Sequence, residues 1–353
     1  MDALSRAGAR ARRRPAIVAV LALVVAACSG TAASPGLTLV PTAPSTPASA
    51  SPSIAPSASP SASAAAFPVT VTDDEGTDVT IKEAPDSIVS LTPGATETLF
   101  ALGVGDAIKG KAEDIFLYPP EAGDVPDVAK FGEVDVEKIV GLEPDVVIAG
   151  GQGFTPVDAI QQLRSLDVPV VVVDPTDVQG VYDDIALLGT AVGKPDEAEA
   201  MTETMQAEMG RIGDAIASQD KPKVFYETGT DDSGKVYGIA DGSFMNEMIE
   251  LAGGVPITTG SPDKYDMSTE KLIADDPDLI LLGDGAFGMT PALVAARPGW
   301  NVISAVKSGD IRPIDDQTIT RPGPRLFLGL ALLASTIHPD AAVPSPSPLP
   351  AVP

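Results

Sequence analysis

The stretch Glu137-Lys138-Ile139-Val140-Gly141-Leu142-Glu143-Pro144-Asp145-Val146-Val147-Ile148-Ala149-Gly150 returns, ungapped and at an offset of 133, as Glu270-Lys271-Leu272-Ile273-Ala274-Asp275-Asp276-Pro277-Asp278-Leu279-Ile280-Leu281-Leu282-Gly283. Each copy reads as an αβ corner. An acid opens a short helix, where negative charge suits the positive end of the helix dipole. Pro-Asp then stops the helix, because a proline disfavours the α region for the residue before it. A continuous apolar run follows, as expected of a strand buried on both faces. Two such corners predict two similar α/β lobes.

The same pattern extends outward. Short apolar runs predict buried strands at 87–91, 145–149, 168–174, 223–228, 279–283 and 311–314. Helical periodicity falls between them, at 96–102, 136–141, 156–165, 243–251 and 325–336. This alternation implies mainly parallel sheets. Between the two repeats lie helices at 177–192 and 195–218, interrupted by Gly193-Lys194-Pro195. Met201, Met205, Met209, Ile212 and Ile216 form one apolar stripe, read as core rather than a soft-metal site. At 1.5 Å per residue the second helix is roughly 36 Å long, enough to run beside two domains. The expected organisation is a first lobe at 67–176, a helical spine at 177–218 and a second lobe at 219–340. A helical spine permits only small lobe movements.

The ends differ in kind. Arg6, Arg10, Arg12, Arg13 and Arg14 precede an apolar run, Pro15 to Ala27, that ends in small residues. That run is too short to span a bilayer core of roughly 30 Å, so residues 1–27 read as a signal peptide. Val25-Ala26-Ala27-Cys28 resembles the bacterial lipobox, which makes Cys28 the lipidated first residue of the mature chain. Cys28 is also the only cysteine, excluding an internal disulfide or a CxxC metal knuckle. Residues 29–66 are almost wholly Ser, Ala, Pro, Thr and Gly, and with Cys28 they read as a disordered tether. The tail at 341–353 has the same composition and carries the same expectation. The whole chain has a formal charge of −26, and without the five Arg and one Asp of residues 1–27 this becomes −30. Nucleic acid is excluded as a partner by that sign.

Catalysis finds no support. The single histidine, His338, cannot complete a Ser-His-Asp or Cys-His set, and there is no P-loop or GxGxxG after a strand. A bare transition-metal site of several His with carboxylates is excluded on the same ground. No cofactor is expected, although a bound ligand would itself contain cobalt or iron if it were a metal chelate.

Several motifs then align in order. They are Ile88-Val89-Ser90-Leu91-Thr92-Pro93-Gly94-Ala95-Thr96-Glu97, Tyr118-Pro119-Pro120-Glu121-Ala122, Phe131-Gly132, Gly242-Ser243-Phe244, Leu251-Ala252-Gly253-Gly254, Arg297-Pro298-Gly299-Trp300 and Arg321-Pro322-Gly323-Pro324-Arg325. Over about residues 68–338 the chain resembles the helical-backbone (class III) periplasmic substrate-binding proteins of ABC importers, the family that binds cobalamin, ferric siderophores and haem. Tyr-Pro-Pro-Glu-Ala leans toward its cobalamin-binding branch. The resemblance implies two Rossmann-like α/β lobes joined by a long helix, with a ligand cleft between them. It implies a monomeric, lipid-anchored protein on the outer face of the cytoplasmic membrane, delivering ligand to a dimeric permease. In such proteins one exposed Glu on each lobe meets an arginine pocket of the permease, and the matching positions are Glu137 and Glu270.

The resemblance places ligand contacts on loops at the C-terminal ends of strands. From the first lobe these are Pro93, Gly94, Lys111, Ile115, Phe116, Phe131, Gln152 and Phe154. From the second they are Tyr237, Lys264, Tyr265, Phe287, Asp316 and Arg321. Phe131 is placed to stack on a flat macrocycle. Lys111, Lys264 and Arg321 would instead pair with an anionic ferric siderophore or with haem propionates. The only tryptophan, Trp300, sits in a packing motif, and the Gly150–Gly153 loop is bare where a bulky aromatic often stands. Arg325 reads as a structural ion pair. A sensor or adhesion module on a stalk is the other reading that the tether and anchor allow.

Overall fold

The apolar runs form two separate sheets that share one layer of core. In the computed structural model, which describes residues 67–151 and 153–349, a hairpin of β1 (Val69–Thr72) and β2 (Asp78–Ile81) comes first. The first lobe's sheet follows, built from β3 (Ile88–Ser90), β4 (Ile108–Ala112), β5 (Asp127–Lys130), β6 (Glu133–Val134), β7 (Val146–Gly150) and β8 (Val170–Val173). Its order is β6-β5-β4-β3-β7-β8, parallel except at the β5–β6 edge. It carries α1 (Pro93–Ala101), α2 (Val136–Val140) and α3 (Val157–Ser165). The spine is α4 (Val178–Ala191) and α5 (Pro195–Ile216). The second lobe contains β9 (Lys223–Glu227), β10 (Gly229–Thr230), β11 (Val236–Tyr237), α6 (Phe244–Leu251), β12 (Val255–Ile257), β13 (Asp266–Met267), α7 (Thr269–Asp275), β14 (Leu279–Leu282), α8 (Pro291–Ala295), α9 (Ser304–Ser308), β15 (Ile311–Pro313) and α10 (Leu326–Ile337). Its main sheet has the parallel order β12-β9-β14-β15, and β10, β11 and β13 make a small antiparallel sheet.

The internal repeat is structural as well as sequential. Strand order reverses between β3 and β7 in the first sheet and between β9 and β14 in the second. The repeated segments supply β7 and β14, so each sits beside the switch point of its own sheet. Glu143 and Asp276, equivalent positions, both adopt the left-handed conformation at φ 48°. The next shared acid pins the neighbouring strand: Asp145 accepts from the Ser87 N–H at 3.0 Å, and Asp278 accepts from the Lys223 N–H at 2.9 Å. The Pro-Asp corner thus does one job twice.

Side-chain alternation explains how two sheets share a core. Ile88, Val146, Ile148 and Val171 on the first sheet, and Val224, Tyr226, Leu279 and Leu281 on the second, face one common core. Tyr182, Ile185, Met201, Met205, Ile212, Phe327 and Leu330 from α4, α5 and α10 complete it. The residues between them face outward into separate cores: Val89, Val147 and Val172 with Ile139 and Leu163, and Phe225, Ile280 and Leu282 with Trp300. The methionine stripe is therefore core. At 22 residues α5 spans roughly 33 Å. Splaying the lobes would expose shared apolar side chains at about 1.5–3 kcal/mol each, so the spine holds them nearly fixed.

One expectation is revised, and two elements are added. The tail is not free over residues 341–349. Ala341, Val343 and Leu349 pack on the common core, and Ser347 hydrogen-bonds Glu208 of α5. Its composition resembles the tether, but those apolar anchors give it a surface to bury. The hairpin β1–β2 and the small three-stranded sheet are additions that no apolar run announced. Residues 1–66 and 350–353, including Cys28, lie outside the described residues. Among the described residues no helix is long and apolar enough to cross a membrane.

Candidate functional site

The first lobe's switch point is built by two loops. After β3, Thr92 caps α1, its Oγ1 accepting from the Ala95 N–H at 3.1 Å, and Pro93 takes the first helical position. Gly94 is a glycine of close approach: a Cβ there would lie 2.3 Å from the Pro322 carbonyl oxygen. The segment before α10 thus crosses from the second lobe and seals against α1. After β7, Gly151 is similarly constrained, since a Cβ would meet the Asp174 carboxyl at 2.0 Å. That contact explains why the loop is bare of a bulky side chain. A chamber of about 330 Å³ lies between these elements, lined by Pro93, Gly94, Phe154, Asp174, Val181, Asp184, Ile185 and Arg321 among others.

Two aromatic pairs lie on loops tied to the chamber, since Phe154 lines it and Phe116 is two residues from Asp114, the partner of Arg321 in the same lining. Phe116 of the first lobe meets Phe287 of the second edge-on at 5.9 Å, and Phe131 meets Phe154 edge-on at 5.7 Å. Ile115, Phe131 and Phe287 are 71, 78 and 69 % exposed. Large apolar groups held this far into water contribute little to the core, and grouped exposure of that kind marks a contact surface. Tyr265 is also exposed, beside Tyr237 on the small sheet, where the Tyr237 hydroxyl donates to Asp231 at 3.1 Å.

The expected cations are mostly engaged. Lys111, expected in the cleft, is instead buried and paired with Asp127, because its place within β4 turns the side chain into the lobe. Arg321 does reach the chamber, but both its terminal nitrogens donate to Asp114 at 2.9 Å. Asp114 also accepts from the Phe116 N–H at 3.0 Å, so one carboxylate orients both the loop and the arginine. Arg325 forms the expected structural pair, donating to both oxygens of Glu97 at 2.7 and 2.9 Å, and its guanidinium lies 3.5 Å from the Tyr118 ring centre. Lys264 is exposed without an ion-pair partner among the described residues. Gln152 lies outside the described residues.

Carboxyl groups dominate what remains. Asp184 is buried on α4, and burial, followed by the neighbouring Asp74, pushes its pKa up to about 9. Asp174 is pushed up by burial and then by Asp74 and Glu75. At the second lobe's switch point, Arg297 clamps buried Glu227 through two 2.6 Å bonds. Beside them burial and Glu227 raise Asp284 to about 6, against the pull of Arg297. Asp316 accepts from the Tyr226 hydroxyl and from Thr320 Oγ1. Asp114, Asp174 and Asp184 were not foreseen as site residues. For Asp184 a signal existed: it shares a helix face with Val181, Ile185 and Leu188, where an acid breaks the apolar pattern.

Glu137 and Glu270 occupy the same position, second in α2 and second in α7, and both are exposed. Neither caps its helix. Asp135 accepts from the Lys138 N–H at 3.0 Å, and Ser268 accepts from the Lys271 N–H at 3.1 Å. Neither glutamate has an ion-pair partner among the described residues.

The family model described as periplasmic binding protein matches residues 88–318. The chain belongs to this family. A relative from Bacillus subtilis, an uncharacterized ABC transporter substrate-binding lipoprotein YvrC, is 34 % identical over 281 residues, covering 78 % of this chain and 87 % of the relative. A cobalamin-binding protein of Halobacterium salinarum is 28 % identical over 327 residues, covering 90 % and 84 %. The crystal structure of the vitamin B12 binding protein BtuF of Vibrio cholerae superposes with a TM-score of 0.63 at 24 % identity, covering 72 % of this chain and 97 % of that one. A periplasmic binding protein of this kind is non-catalytic and works outside the cytoplasm. It binds a solute and delivers it to the permease of an ABC importer.

Proposed function

We propose that this periplasmic binding protein captures cobalamin, or a closely related corrinoid, and presents it to a dimeric permease. The observation that carries the ligand is the pairing of exposed aromatics with neutralised cations. Phe116, Phe131, Phe154 and Phe287 offer apolar faces, while Arg321 and Lys111 are held by Asp114 and Asp127. A macrocycle with an uncharged, amide-bearing rim suits such a site better than haem or a ferric siderophore, whose anionic groups want free cations. The cobalamin-binding relative supports the same choice. The unpaired Lys264 is the one feature that favours an anionic chelate.

Delivery rests on Glu137 and Glu270. Pseudo-symmetric lobes on a stiff spine hold two equivalent, uncommitted carboxylates at fixed separation, as a two-fold partner with arginine pockets requires. Cys28 supplies the lipid anchor, in keeping with the lipoprotein relative. Titration of the purified protein with cyanocobalamin, haemin and a ferric siderophore panel, followed by calorimetry, tests the ligand. Saturable binding of cyanocobalamin is expected. Binding of haemin or a siderophore with none of cyanocobalamin would reassign the site.

A further inference from the structure

The stretch after α10 runs back along the molecule from one lobe to the other. Pro344, Pro346 and Pro348 have no N–H to leave unpaired, which suits a segment outside helix and strand. At the second lobe, His338 closes α10 and packs on Gly253, where a Cβ would lie 2.5 Å from its Nε2. Further on, Ser347 hydrogen-bonds Glu208 of the spine. At the first lobe, Leu349 forms one wall of a depression of about 300 Å³, whose other walls include Glu97, Phe100, Tyr118, Pro119 and Arg325. Arg325 caps the start of α10 and His338 its end, so the tail returns the length of that helix.

Tyr118 belongs to the loop that carries Ile115 and Phe116, and Phe116 meets Phe287 of the second lobe. Among the described residues, no backbone group of 114–118 shares a hydrogen bond with backbone elsewhere. The loop is held by side chains instead. Arg321 grips Asp114, and the guanidinium of Arg325 lies 3.5 Å from the Tyr118 ring centre. Both arginines gather on Glu97, Arg325 through two hydrogen bonds and Arg321 at 3.9 Å. A segment with no backbone bonds of its own opens locally at small cost, so whatever packs beside Tyr118 weighs heavily. Even with Leu349 in place Tyr118 is 37 % exposed, so little else covers it.

We propose that Leu349 is a positioning residue for ligand binding: it braces Tyr118 from the side away from the cleft and so holds Ile115 and Phe116 where a ligand meets them. Through Ser347 and Glu208 the same segment fastens this brace to the spine. Burial of the Leu349 side chain supplies the holding energy, and the prolines lower the entropy lost in fixing the strap. That Ile115 and Phe116 touch a ligand rests on the reading above; the bracing of their loop does not.

The test compares the full chain with Leu349→Ala and Leu349→Met, using thermal melting to establish that each variant is folded. Chymotrypsin reads the loop, because Phe116 and Leu117 lie in it, and exposed Phe131 serves as an internal control. In Leu349→Ala, cleavage after Phe116 and Leu117 is expected to accelerate roughly fivefold or more while cleavage after Phe131 is unchanged. Cyanocobalamin is expected to bind this variant about threefold more weakly or worse. Leu349→Met, which keeps the apolar bulk, is expected to bring both readings to within about twofold of the unaltered protein. Unchanged loop cleavage in the folded Leu349→Ala protein overturns the proposal. Equal acceleration at Phe131 shows general loosening and also overturns it. Faster loop cleavage with full affinity for cyanocobalamin removes the role in binding. If the unaltered protein binds no cyanocobalamin, the corrinoid reading falls by itself, and the cleavage pattern still decides whether Leu349 braces the loop.

Discussion

Asp184→Asn is expected to stabilise the protein, and to do so more as pH rises. Asp184 is 7 % exposed, and its pKa of about 9 stands against a model-peptide value of 3.8. Burial is the first cause and the carboxyl of Asp74 the second. Because the folded pKa is raised, the unfolded chain releases this proton at lower pH than the folded one. The contribution of Asp184 is fully present below pH 3.8 and is lost progressively as pH rises toward 9. At about 1.4 kcal/mol per unit, holding the group neutral costs about 1 kcal/mol at pH 4.5 and about 5 kcal/mol at pH 7.5. Asparagine has nearly the same shape and no such proton to hold. Its gain over aspartate should therefore grow by up to about 4 kcal/mol between these pH values, less about 1 kcal/mol for an altered bond to Asp74. Urea unfolding of both proteins at the two pH values measures this directly. A gain that does not change with pH, or a loss at pH 7.5, would show that Asp184 is not held neutral and would refute the reasoning.

Three further outcomes follow from other parts of the molecule. Asp284, raised to about 6 by burial and by Glu227, contributes stability below pH 3.8 that is lost as pH rises through 6, about 3 kcal/mol in all; Asp284→Asn should flatten that part of the pH–stability curve measured by urea unfolding. Truncation after Asp340 removes the packing of Val343 and Leu349 and the Ser347 bond to Glu208, and should lower stability by about 2–3 kcal/mol in thermal unfolding. It should also release Glu208, whose burial is at present outweighed by Ser347 and Arg211 so that its pKa sits below the ordinary range; an upward shift of that carboxyl by NMR titration would register the loss.

Much of the architecture was legible because period and punctuation agree. The Pro-Asp corners located β7 and β14, and the apolar stripe of Met201 to Ile216 located the spine that both lobes share. Elements with mixed composition were not legible. In β4, Lys109 and Lys111 interrupt the apolar pattern, and only the tertiary partner Asp127 makes the burial of Lys111 tolerable. The packing of residues 341–349 was not legible because Pro and Ser dominate that stretch, whereas it depends on where Val343 and Leu349 find apolar neighbours. Glu137 and Glu270 head the repeat and take their expected role from the family resemblance, whereas the capping by Asp135 and Ser268 is visible only in the fold. Least legible were the long-range pairs. Arg321 and Asp114 are 207 positions apart, so the sequence offered a free cation where the fold holds an ion pair. That pairing supports the proposed neutral-rimmed ligand over the anionic alternative, which a free arginine would suit.

The central claim, that two matched lobes present two matched carboxylates to a two-fold permease, is tested most directly by reconstituting the importer with the unaltered protein, with Glu137→Ala, with Glu270→Ala and with the double variant. Both carboxylates are exposed and lie outside the chamber, so ligand affinity and melting temperature should stay as they were. Uptake should fall with either single change and be nearly abolished by both. Uptake that is unchanged in the folded, ligand-binding double variant would contradict the account.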